Sequence, residues 1–313
     1  MKIFLDYKKV PRVGTVVALG NFDGFHLGHQ EIVKQTVCQA RAMGLPALVM
    51  TFHPHPRRFF GADLPLITPL EQKLSLLKKA GIDIALVQQF TQVFAALSPQ
   101  SFVEEILAAS LGCRHIVVGY DYTFGREGSG HTGLLEELTA DLGIACDIIP
   151  PVKYGKEVIS SSAIRKFLAA GNIEMAAKYM GRPFMVRGRI APGAGRGKFL
   201  GFPTANIYPF TAAALPAFGV YLVQVCVQGN PYWGVANLGR HPTFPGGQIS
   251  LEVHLLDFHN DVYGSTMCVS FVKRLRPERK FPDAESLKNQ LVQDVKLAKT
   301  LLANDNMLKL LRI

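Results

Sequence analysis

The chain has 313 residues, enough for two domains at roughly 150 residues each. Hydrophobic residues make up 48% of it and charged residues 19%, which excludes a disordered or fibrous protein. The formal net charge of +10 favours anionic partners, either nucleic acid or phosphorylated small molecules, although it is equally compatible with a basic surface of no function.

Neither the cysteines nor the apolar runs indicate a secreted or membrane protein. The five cysteines stand singly without a CxxC pair, so we interpret them as buried apolar side chains rather than disulfides or zinc ligands. Every apolar run is shorter than the roughly 18 residues of a membrane-spanning helix. The first residues carry Asp6 and too short an apolar stretch for a signal peptide, so we expect a cytoplasmic protein.

Up to about residue 155, short apolar runs alternate with helical stretches, which predicts a parallel sheet covered by helices. The predicted strands are 16–20, 47–52, 84–88, 116–119 and 146–149. Thr68 and Glu71 predict a capping box for a helix that stops at Gly81. Ser98 and Pro99 predict the start of another helix.

The second part of the chain has a different pattern. Two short helices are predicted at 162–170 and 173–179, and Gly181-Arg182-Pro183 then interrupts the pattern. We place the boundary there, giving domains 1–181 and 182–313. A small antiparallel barrel is predicted beyond it, with a packed amphipathic helix at 283–303. The predicted barrel strands are 184–190, 220–227, 232–238, 250–258 and 266–275.

The first strand runs directly into GNFDGFHLGH, residues 20–29, and then into a helix. Backbone N–H groups and the helix dipole at such a junction favour a phosphate. The motif is not the dinucleotide GxGxxG fingerprint. His26 and His29 lie one helical turn apart, with Gly28 leaving room between them, and both could donate hydrogen bonds to a transferring α-phosphate. An isolated HxGH is also compatible with exposed or capping histidines.

Three further segments follow in order, at positions where a parallel sheet binds ligands. They are TFHPHP at 51–56, VGYDYTFG at 118–125 and ISSSAIR at 159–165. The last offers hydroxyls and a guanidinium at a helix start, which suits a polyphosphate. Each segment alone is compatible with a rigid loop or a helix cap, and their order favours a nucleotide site.

The predicted barrel contains a glycine-rich basic segment, GAGRGKFLGFPTAN at 193–206. It lacks the P-loop signature, and it is either a surface loop or a segment that wraps phosphates. Thr204 and Asn206 share one face of an extended segment and could both reach one Mg²⁺–phosphate.

Strict alternation in the strand 250–258 puts Glu252 and His254 on the face opposite Leu251, Val253 and Leu255. Glu252 is therefore either a solvent-facing strand carboxylate or, if it points into the barrel mouth, the acceptor of a hydroxyl proton.

These motifs, in this order, resemble the bacterial bifunctional riboflavin kinase/FAD synthetases. The family patterns GxFDGxHxGH, TFxPxP, GxDxxFG and ISSxxIR are matched in the first half. GFPTAN is followed by GVANxG at 234–239, PTF at 242–244 and ExHxxDF at 252–258 in the second. Arg240-His241-Pro242 and Ala191-Pro192 depart from the pattern and put in doubt the arginine before Pro242 and the conformation of the loop.

The resemblance implies a nucleotidyltransferase-type parallel α/β domain, followed by a small antiparallel β-barrel kinase domain with a C-terminal helix. It implies that riboflavin and ATP give FMN and ADP, and that FMN and a second ATP give FAD and pyrophosphate. Mg²⁺ would be the cofactor, without a tightly bound prosthetic group and without nucleic acid or membrane as partner. It implies no particular oligomeric state.

The resemblance also assigns roles to individual residues. Catalytic roles are implied for His26, His29, Asp121, Arg165 and, as base of the kinase step, Glu252. Binding of ATP or its phosphates is implied for Gly20, Asn21, Phe22, Asp23, Gly24, Gly28, Ser161, Ser162, Gly195, Arg196, Gly201, Pro203, Thr204 and Asn206. Flavin binding is implied for Phe52, Pro54, Pro56, Tyr120 and Phe124, and metal binding for Thr204 and Asn206.

Two other functions fit part of the sequence. A barrel carrying the basic segment 273–280 could bind RNA, and an HxGH nucleotidyltransferase could use a phosphopantetheine or a polyol phosphate as acceptor. The Pro-Thr-Ala-Asn segment and Glu252 argue against the first, and the second domain argues against the other. An assay with ATP and riboflavin separates all three.

Overall fold

The structure is a computed structural model, and it describes residues 1–191, 196–207, 213–240, 249–258 and 260–303, without the side chains of residues 196 and 198. The chain divides into two compact units, Met1–Ser161 and Ser162–Ile313.

The first unit is built on a six-stranded parallel sheet of order β1-β4-β3-β2-β5-β6, as predicted. Its strands are β1 Lys2–Phe4, β2 Thr15–Leu19, β3 Ala47–His53, β4 Ile84–Gln89, β5 Cys113–Gly119 and β6 Ala145–Ile149. A separate hairpin pairs β7 Lys153–Tyr154 with β8 Glu157–Val158. The sequence analysis found five of the six strands and missed the three-residue β1.

Helices cover both faces of this sheet, so its central strands are buried on both sides. In β2, Val17 and Leu19 pack into one core and Val16 and Ala18 into the other. The helices of the unit are α1 Leu27–Met43, α2 Pro56–Phe59, α3 Leu70–Lys79, α4 Gln92–Ala95, α5 Pro99–Ser101 with its π-helical continuation Phe102–Ser110, and α6 Thr132–Ala140. Short 3-10 turns lie at Tyr7–Lys9 and Arg126–Gly128.

One helix start was predicted correctly and one was wrong. Ser98 caps α5, its hydroxyl accepting a hydrogen bond from the Ser101 N–H at 3.0 Å. The capping box predicted for α3 puts the N-cap at Thr68, whereas the helix begins after Pro69, which provides no side-chain cap. The N–H of Thr68 is instead bound by the carboxylate of Asp23 at 2.9 Å.

The second unit contains a closed six-stranded antiparallel barrel of order β10-β13-β12-β11-β14-β9. Its strands are β9 Phe184–Ala191, β10 Ala205–Ile207, β11 Gly219–Val227, β12 Asn230–Arg240, β13 Ile249–Leu255 and β14 Thr266–Pro277. The predicted barrel is confirmed, and β10, a strand the sequence analysis did not count, joins β13 to β9.

Four described helices accompany the barrel. They are α7 Ser161–Ala170, which begins at the last residue of the first unit, α8 Ile173–Met180, the short α9 Arg196–Phe199 and α10 Ala284–Leu302. The predicted terminal helix is confirmed as α10, which Asp283 caps by accepting from the Ser286 N–H at 2.7 Å. Ala298 of α10 packs with Val220 and Val235, so these side chains mark the outer wall of the barrel.

The hairpin of α7 and α8 is attached to the barrel. The Ala217 N–H donates to the Leu168 carbonyl at 2.9 Å, and the Arg274 guanidinium donates to Phe218 O at 2.7 Å and to Ala170 O at 3.5 Å. Helix α8 also contacts β9 and β14, and its Tyr179 is fully buried. The division into domains 1–181 and 182–313 stays a prediction, while these contacts group both helices with the barrel.

The attachment predicts how fragments of this chain fold. A fragment starting at residue 162 should show a cooperative thermal transition at clearly higher temperature than one starting at residue 184. The shorter fragment loses buried side chains of α8 that pack on the barrel, at a cost of about 2–5 kcal/mol per large side chain. Equal midpoints in a thermal scan monitored by circular dichroism would show that the barrel does not need the hairpin.

Candidate active sites

The order of the parallel sheet reverses at β2, which has β3 on one side and β5 on the other. Ligands of open parallel sheets bind in the crevice that such a reversal leaves at the carboxyl ends of the strands. Residues 20–26 follow β2, and Asp121 follows β5. A Cβ on Gly119 would lie 3.3 Å from Asp121 Oδ1 and 3.4 Å from Ile32 of α1. The fold therefore brings the histidine motif and Asp121 to the same edge of the sheet.

His26 is the N-cap of α1, so the structural interpretation of this histidine is correct. Its Nδ1 accepts a hydrogen bond from the His29 N–H at 3.3 Å. A ring nitrogen that accepts carries no proton, so the cap assigns the proton of neutral His26 to Nε2. Capping and catalysis are compatible, because the bond that starts α1 also makes Nε2 a hydrogen-bond donor.

His29 is held by its neighbours within the same motif. Its ring stacks on that of His26, with centroids 3.7 Å apart and planes 18° apart, and it meets the edge of Phe22 at 5.3 Å. A Cβ added to Gly28 would lie 3.2 Å from the His26 ring, closer than side-chain contacts normally allow. The glycine of HxGH thus leaves space for the capping imidazole.

The loop before the histidines has an unusual backbone. Phe22 and Phe25 both have positive φ, 51° and 39°, which is strained for bulky residues, and both are buried. Asp23, only 3% exposed, holds the loop by accepting from the N–H groups of Ile67 at 3.2 Å and Thr68 at 2.9 Å. The carboxylate of Asp23 therefore anchors the loop, and its predicted contact with ATP stays a prediction.

Ser161 is also used within the loop network. Its hydroxyl donates to the Asp23 carbonyl at 2.8 Å, so Ser161 is bound to the histidine loop within the first unit. Ser162 and Arg165 lie in the first turns of α7.

The sequence analysis missed a buried cation at this site. Lys73 of α3 is 6% exposed, and its Nζ donates to the Asn21 carbonyl at 2.8 Å and to Thr51 Oγ1 at 3.1 Å. Desolvation lowers the pKa of Lys73 to about 8, although the charge of Asp23 opposes that shift. The sequence contained one indication that Lys73 is buried, since it stands four residues before the apolar Leu77 and so lies on the same face of the helix.

Aromatic rings form a continuous cluster near the carboxyl ends of β3 and β4. Neighbouring rings have centroids between 5.3 and 6.2 Å apart. The cluster consists of Phe52, Phe59, Phe60, Phe90, Phe94, Phe102, Tyr122 and Phe124.

Two of the five predicted flavin residues, Phe52 and Phe124, belong to this aromatic cluster. Phe60 is 65% exposed and gives the cluster an open end. Tyr120 is exposed and forms no described ring contact, Pro54 is exposed, and Pro56 begins α2. The sequence analysis did not select Phe59, Phe60, Phe90 or Phe94, which lie outside the quoted motif letters.

On the barrel, three predicted or related side chains form one row across adjacent strands. Asn206 of β10 is directly opposite Glu252 of β13, which is directly opposite Asn237 of β12. Directly paired residues point to the same face of a sheet. Asn237 is the member that the sequence analysis did not select, although it stands in the GVANLG segment.

The predicted alternation along β13 is confirmed, since Leu251, Val253 and Leu255 are buried and Glu252 and His254 are half-buried. The possibility that Glu252 points into the barrel mouth is wrong. Its row continues to Val220 of β11, which packs against α10 on the outer wall. The barrel interior is filled by apolar side chains, so the polar row lies on the outside.

The chain before β10 folds against this row. A Cβ on Gly197 would overlap the Phe202 carbonyl, and Gly201 has a positive φ of 86°, so the turn requires both glycines. His254 binds the Pro203 carbonyl through Nδ1 at 2.9 Å and contacts the Phe202 ring. His254 thus places Thr204 beside the row of Asn206 and Glu252, a role the sequence analysis did not assign.

Some predicted features lie outside the described residues. They are Gly195 with its neighbours 193 and 194, the side chain of Arg196, and the 242–244 segment with His241. The neighbouring Arg240 is described, and its guanidinium lies 6.0 Å from the centre of the Phe218 ring.

Comparisons with known proteins agree for both halves. Family models for FAD synthetase and riboflavin kinase match residues 9–163 and 180–302. The curated bifunctional riboflavin kinase/FMN adenylyltransferases of Bacillus subtilis and Escherichia coli K12 are 38% and 37% identical to this chain. Both alignments cover 91% of this chain and 92% of the relative.

A crystal structure from Streptococcus pneumoniae titled macrolide-efflux protein has a TM-score of 0.87 at 32% identity, covering 95% of this chain and 98% of its own. The activity in that title is not the one for which the family models and curated relatives are named. Among the described helices, none is long and apolar enough to cross a membrane. With both family models and full-length relatives in agreement, the chain belongs to the family of bifunctional riboflavin kinase/FMN adenylyltransferases.

Proposed function

We propose that this chain makes FAD from riboflavin in two ATP-dependent steps, phosphorylation at the polar row on the barrel and then adenylyl transfer at the histidine motif. The observation that supports the proposal is that the chain has two separate groups of polar side chains whose chemistry suits phosphate. One is the histidine pair at the start of α1, and the other is the row of Asn206, Glu252 and Asn237 on the barrel. The proposed partners are riboflavin, FMN, FAD, ATP, ADP and pyrophosphate rather than nucleic acid or membrane. A cytoplasmic location stays a prediction.

In the adenylyl step, an oxygen of the FMN phosphate attacks the α-phosphorus of ATP, and the bond to the bridging oxygen of pyrophosphate breaks. This attack needs no base, because a phosphate monoester with a second pKa of about 6 is already ionised near neutral pH. Nε2–H of His26 donates to the α-phosphate as negative charge builds there, supported by the N-terminal dipole of α1. His29 holds that ring by stacking and contacts the same phosphate.

We assign Ser162 and Arg165 to the leaving pyrophosphate, because a hydroxyl and a guanidinium in the first turns of a helix suit that anion. Ser161 contributes through its bond to the Asp23 carbonyl. Asp121 lies at the edge where nucleotide and flavin meet. The flavin ring system packs on the aromatic cluster, whose exposed Phe60 leaves a face for a planar apolar ligand.

In the kinase step, Glu252 accepts the proton of the ribityl 5′-hydroxyl as that oxygen attacks the γ-phosphorus of ATP and ADP leaves. The row geometry supports this role, since Glu252 is half-buried between the amides of Asn206 and Asn237. Thr204 and the 5% exposed Asn206 face the phosphates.

The oxygen donors of this row fit Mg²⁺. A hydroxyl, an amide oxygen and one carboxylate, completed by substrate phosphates, are the ligands that Mg²⁺ prefers. Among the described residues, no group of three or more His, Cys, Asp or Glu could hold a metal ion. Thr204 and Asn206 would hold the ion. When bound, Mg²⁺ neutralises charge that develops on the phosphates.

The whole proposal is tested by incubating the purified chain with ATP, Mg²⁺ and either riboflavin or FMN and separating the flavins by chromatography. FMN should appear first and FAD second, with ADP and pyrophosphate as the other products. Conversion of FMN to FAD without any conversion of riboflavin would refute the kinase assignment, and the reverse result would refute the adenylyl assignment.

We predict that His29→Ala separates the two activities. Loss of the stacked ring and of its proposed contact with the α-phosphate should reduce FAD formation from FMN by at least about 10²–10³-fold. FMN formation should be unchanged, because His29 lies in the first unit and the kinase row in the second. Equal loss of both activities in a folded variant would contradict the assignment.

Gly28→Ala should also lower FAD formation, because the added methyl would press on the His26 ring at 3.2 Å. The chain supplies a matched control, since His131 caps α6 in the same way and a Cβ on Gly133 would lie 3.4 Å from its ring. Gly133→Ala should leave both activities near wild type. If both alanine variants lowered FAD formation equally, the loss would come from weakened helix capping and not from the position of the His26 ring.

Glu252→Gln should lower riboflavin phosphorylation by about 10²–10⁴-fold, because the amide cannot accept the hydroxyl proton. FAD formation from supplied FMN should not change. Glu285→Gln, at an exposed carboxylate in the first turn of α10, is the control and should behave as wild type. A loss below tenfold in the Glu252 variant would make this carboxylate structural.

A further inference from the structure

The loop that carries the histidine motif rests on a buried ammonium group. Lys73 reaches from α3 to the Asn21 carbonyl at 2.8 Å and to the Thr51 hydroxyl at 3.1 Å. The Thr51 hydroxyl donates to the same carbonyl at 3.1 Å. Lys73 therefore joins the end of β3 to the loop after β2, directly before the strained Phe22.

This position does not require a cation for packing. Lys73 occupies the inward face of α3 in line with the buried Leu77, where an apolar side chain would fill the space at lower cost. Asp23 on the loop is the charged group that faces Lys73, whereas Thr51 on β3 and Asn21 on the loop are neutral. The carboxylate of Asp23 also accepts two backbone N–H groups at 67 and 68.

The bond to Asn21 sets the orientation of one peptide plane. In a trans peptide the carbonyl and the N–H point in opposite directions, so a carbonyl turned to Lys73 directs the Phe22 N–H away from it. Both groups belong to the loop that ends in His26, the cap of α1. The positive charge under this loop also favours a polyphosphate at the adjacent helix start.

We propose that Lys73 is a positioning residue of adenylyl transfer, whose charged ammonium holds the Asn21–Phe22 peptide so that the loop presents His26 to the α-phosphate of ATP. The inference rests on the proposed adenylyl step. It assigns no contact between Lys73 and the substrates. It assigns no part in the kinase step, which uses side chains of the other unit.

The test compares Lys73→Met and Lys73→Arg with Lys78→Met, a change at an exposed lysine of the same helix. Lys73→Met keeps the length of the side chain and removes the charge. It should lower kcat for FAD formation from FMN by about 10²-fold, the effect of a small misplacement of a reacting group. Its FMN formation should equal wild type, and Lys78→Met should match wild type in both reactions. Lys73→Arg keeps the charge and should recover part of the loss.

A second measurement distinguishes charge from packing. Lys73 loses its proton above about pH 8, so wild-type FAD formation should fall there and that decline should be absent from Lys73→Met. Stability should change in the opposite direction. Between about pH 8 and the unfolded-state pKa of about 10.4, the unfolded chain binds a proton that the folded chain does not. As the pH increases through this range, the thermal midpoint of the wild type should therefore rise relative to that of Lys73→Met.

Several outcomes would overturn the proposal. They are FAD formation by Lys73→Met within threefold of wild type, equal loss of FAD and FMN formation, and an alkaline decline that persists in the methionine variant. Wild-type protein that forms FMN and never FAD would instead refute the adenylyl step itself, which keeps the two failures distinguishable.

Discussion

The hydrogen bond from the His29 N–H to His26 Nδ1 is the interaction on which the first site depends. It begins α1, satisfies one of the N–H groups that a helix start leaves open, and fixes the proton of neutral His26 on Nε2. The same bond places the two imidazoles at stacking distance, 3.7 Å between centroids. Gly28 leaves room for the His26 ring, and hydrogen bonds of Asp23 and Lys73 hold the loop that precedes the helix. A local capping interaction thus becomes the scaffold of the proposed phosphate site.

In the second unit, the row of Asn206, Glu252 and Asn237 depends on strand register. Side chains alternate along a strand, so a shift of one residue would move Glu252 from the polar row into the apolar interior. Strand β10 has only three residues, but it fixes Asn206 opposite Glu252 and closes the barrel between β13 and β9. His254, two residues further along β13, binds the Pro203 carbonyl and keeps Thr204 at the start of β10.

The sequence predicted those features that local periodicity determines. The apolar run of β2 is buried on both faces, as a central parallel strand must be, and the alternation around Glu252 follows the pleat of β13. The motifs also placed Asp121 and the histidines correctly at the carboxyl ends of neighbouring strands. Periodicity gives the face of a residue within its strand. It does not say which face of a barrel is the interior, and for that reason the barrel-mouth interpretation of Glu252 was wrong.

Features that depend on tertiary partners were not accessible in this way. Thr68 and Glu71 have the pattern of a capping box, yet the Asp23 carboxylate, far away in the chain, takes the Thr68 N–H. In the sequence Lys73 resembles an ordinary helix lysine, because its partners, the Asn21 carbonyl and the Thr51 hydroxyl, are distant in the chain. The helices α7 and α8 adjoin the first domain in sequence, whereas Arg274 from the far end of the barrel binds their turn.

The net charge of +10 illustrates why composition alone leaves function open. Several basic groups have structural partners, such as Arg276, whose guanidinium forms a two-point pair with the buried Asp294 at 2.8 and 2.9 Å. Arg41 pairs with Asp83, and Arg274 binds backbone carbonyls. The charges of Arg276 and Arg41 are thus balanced by carboxylates of the protein, and Arg274 serves to join backbone segments. The phosphate chemistry proposed for this chain depends instead on a few donors at defined places, such as Nε2 of His26 and the Arg165 guanidinium, and such groups are identified by their geometry rather than by counting charges.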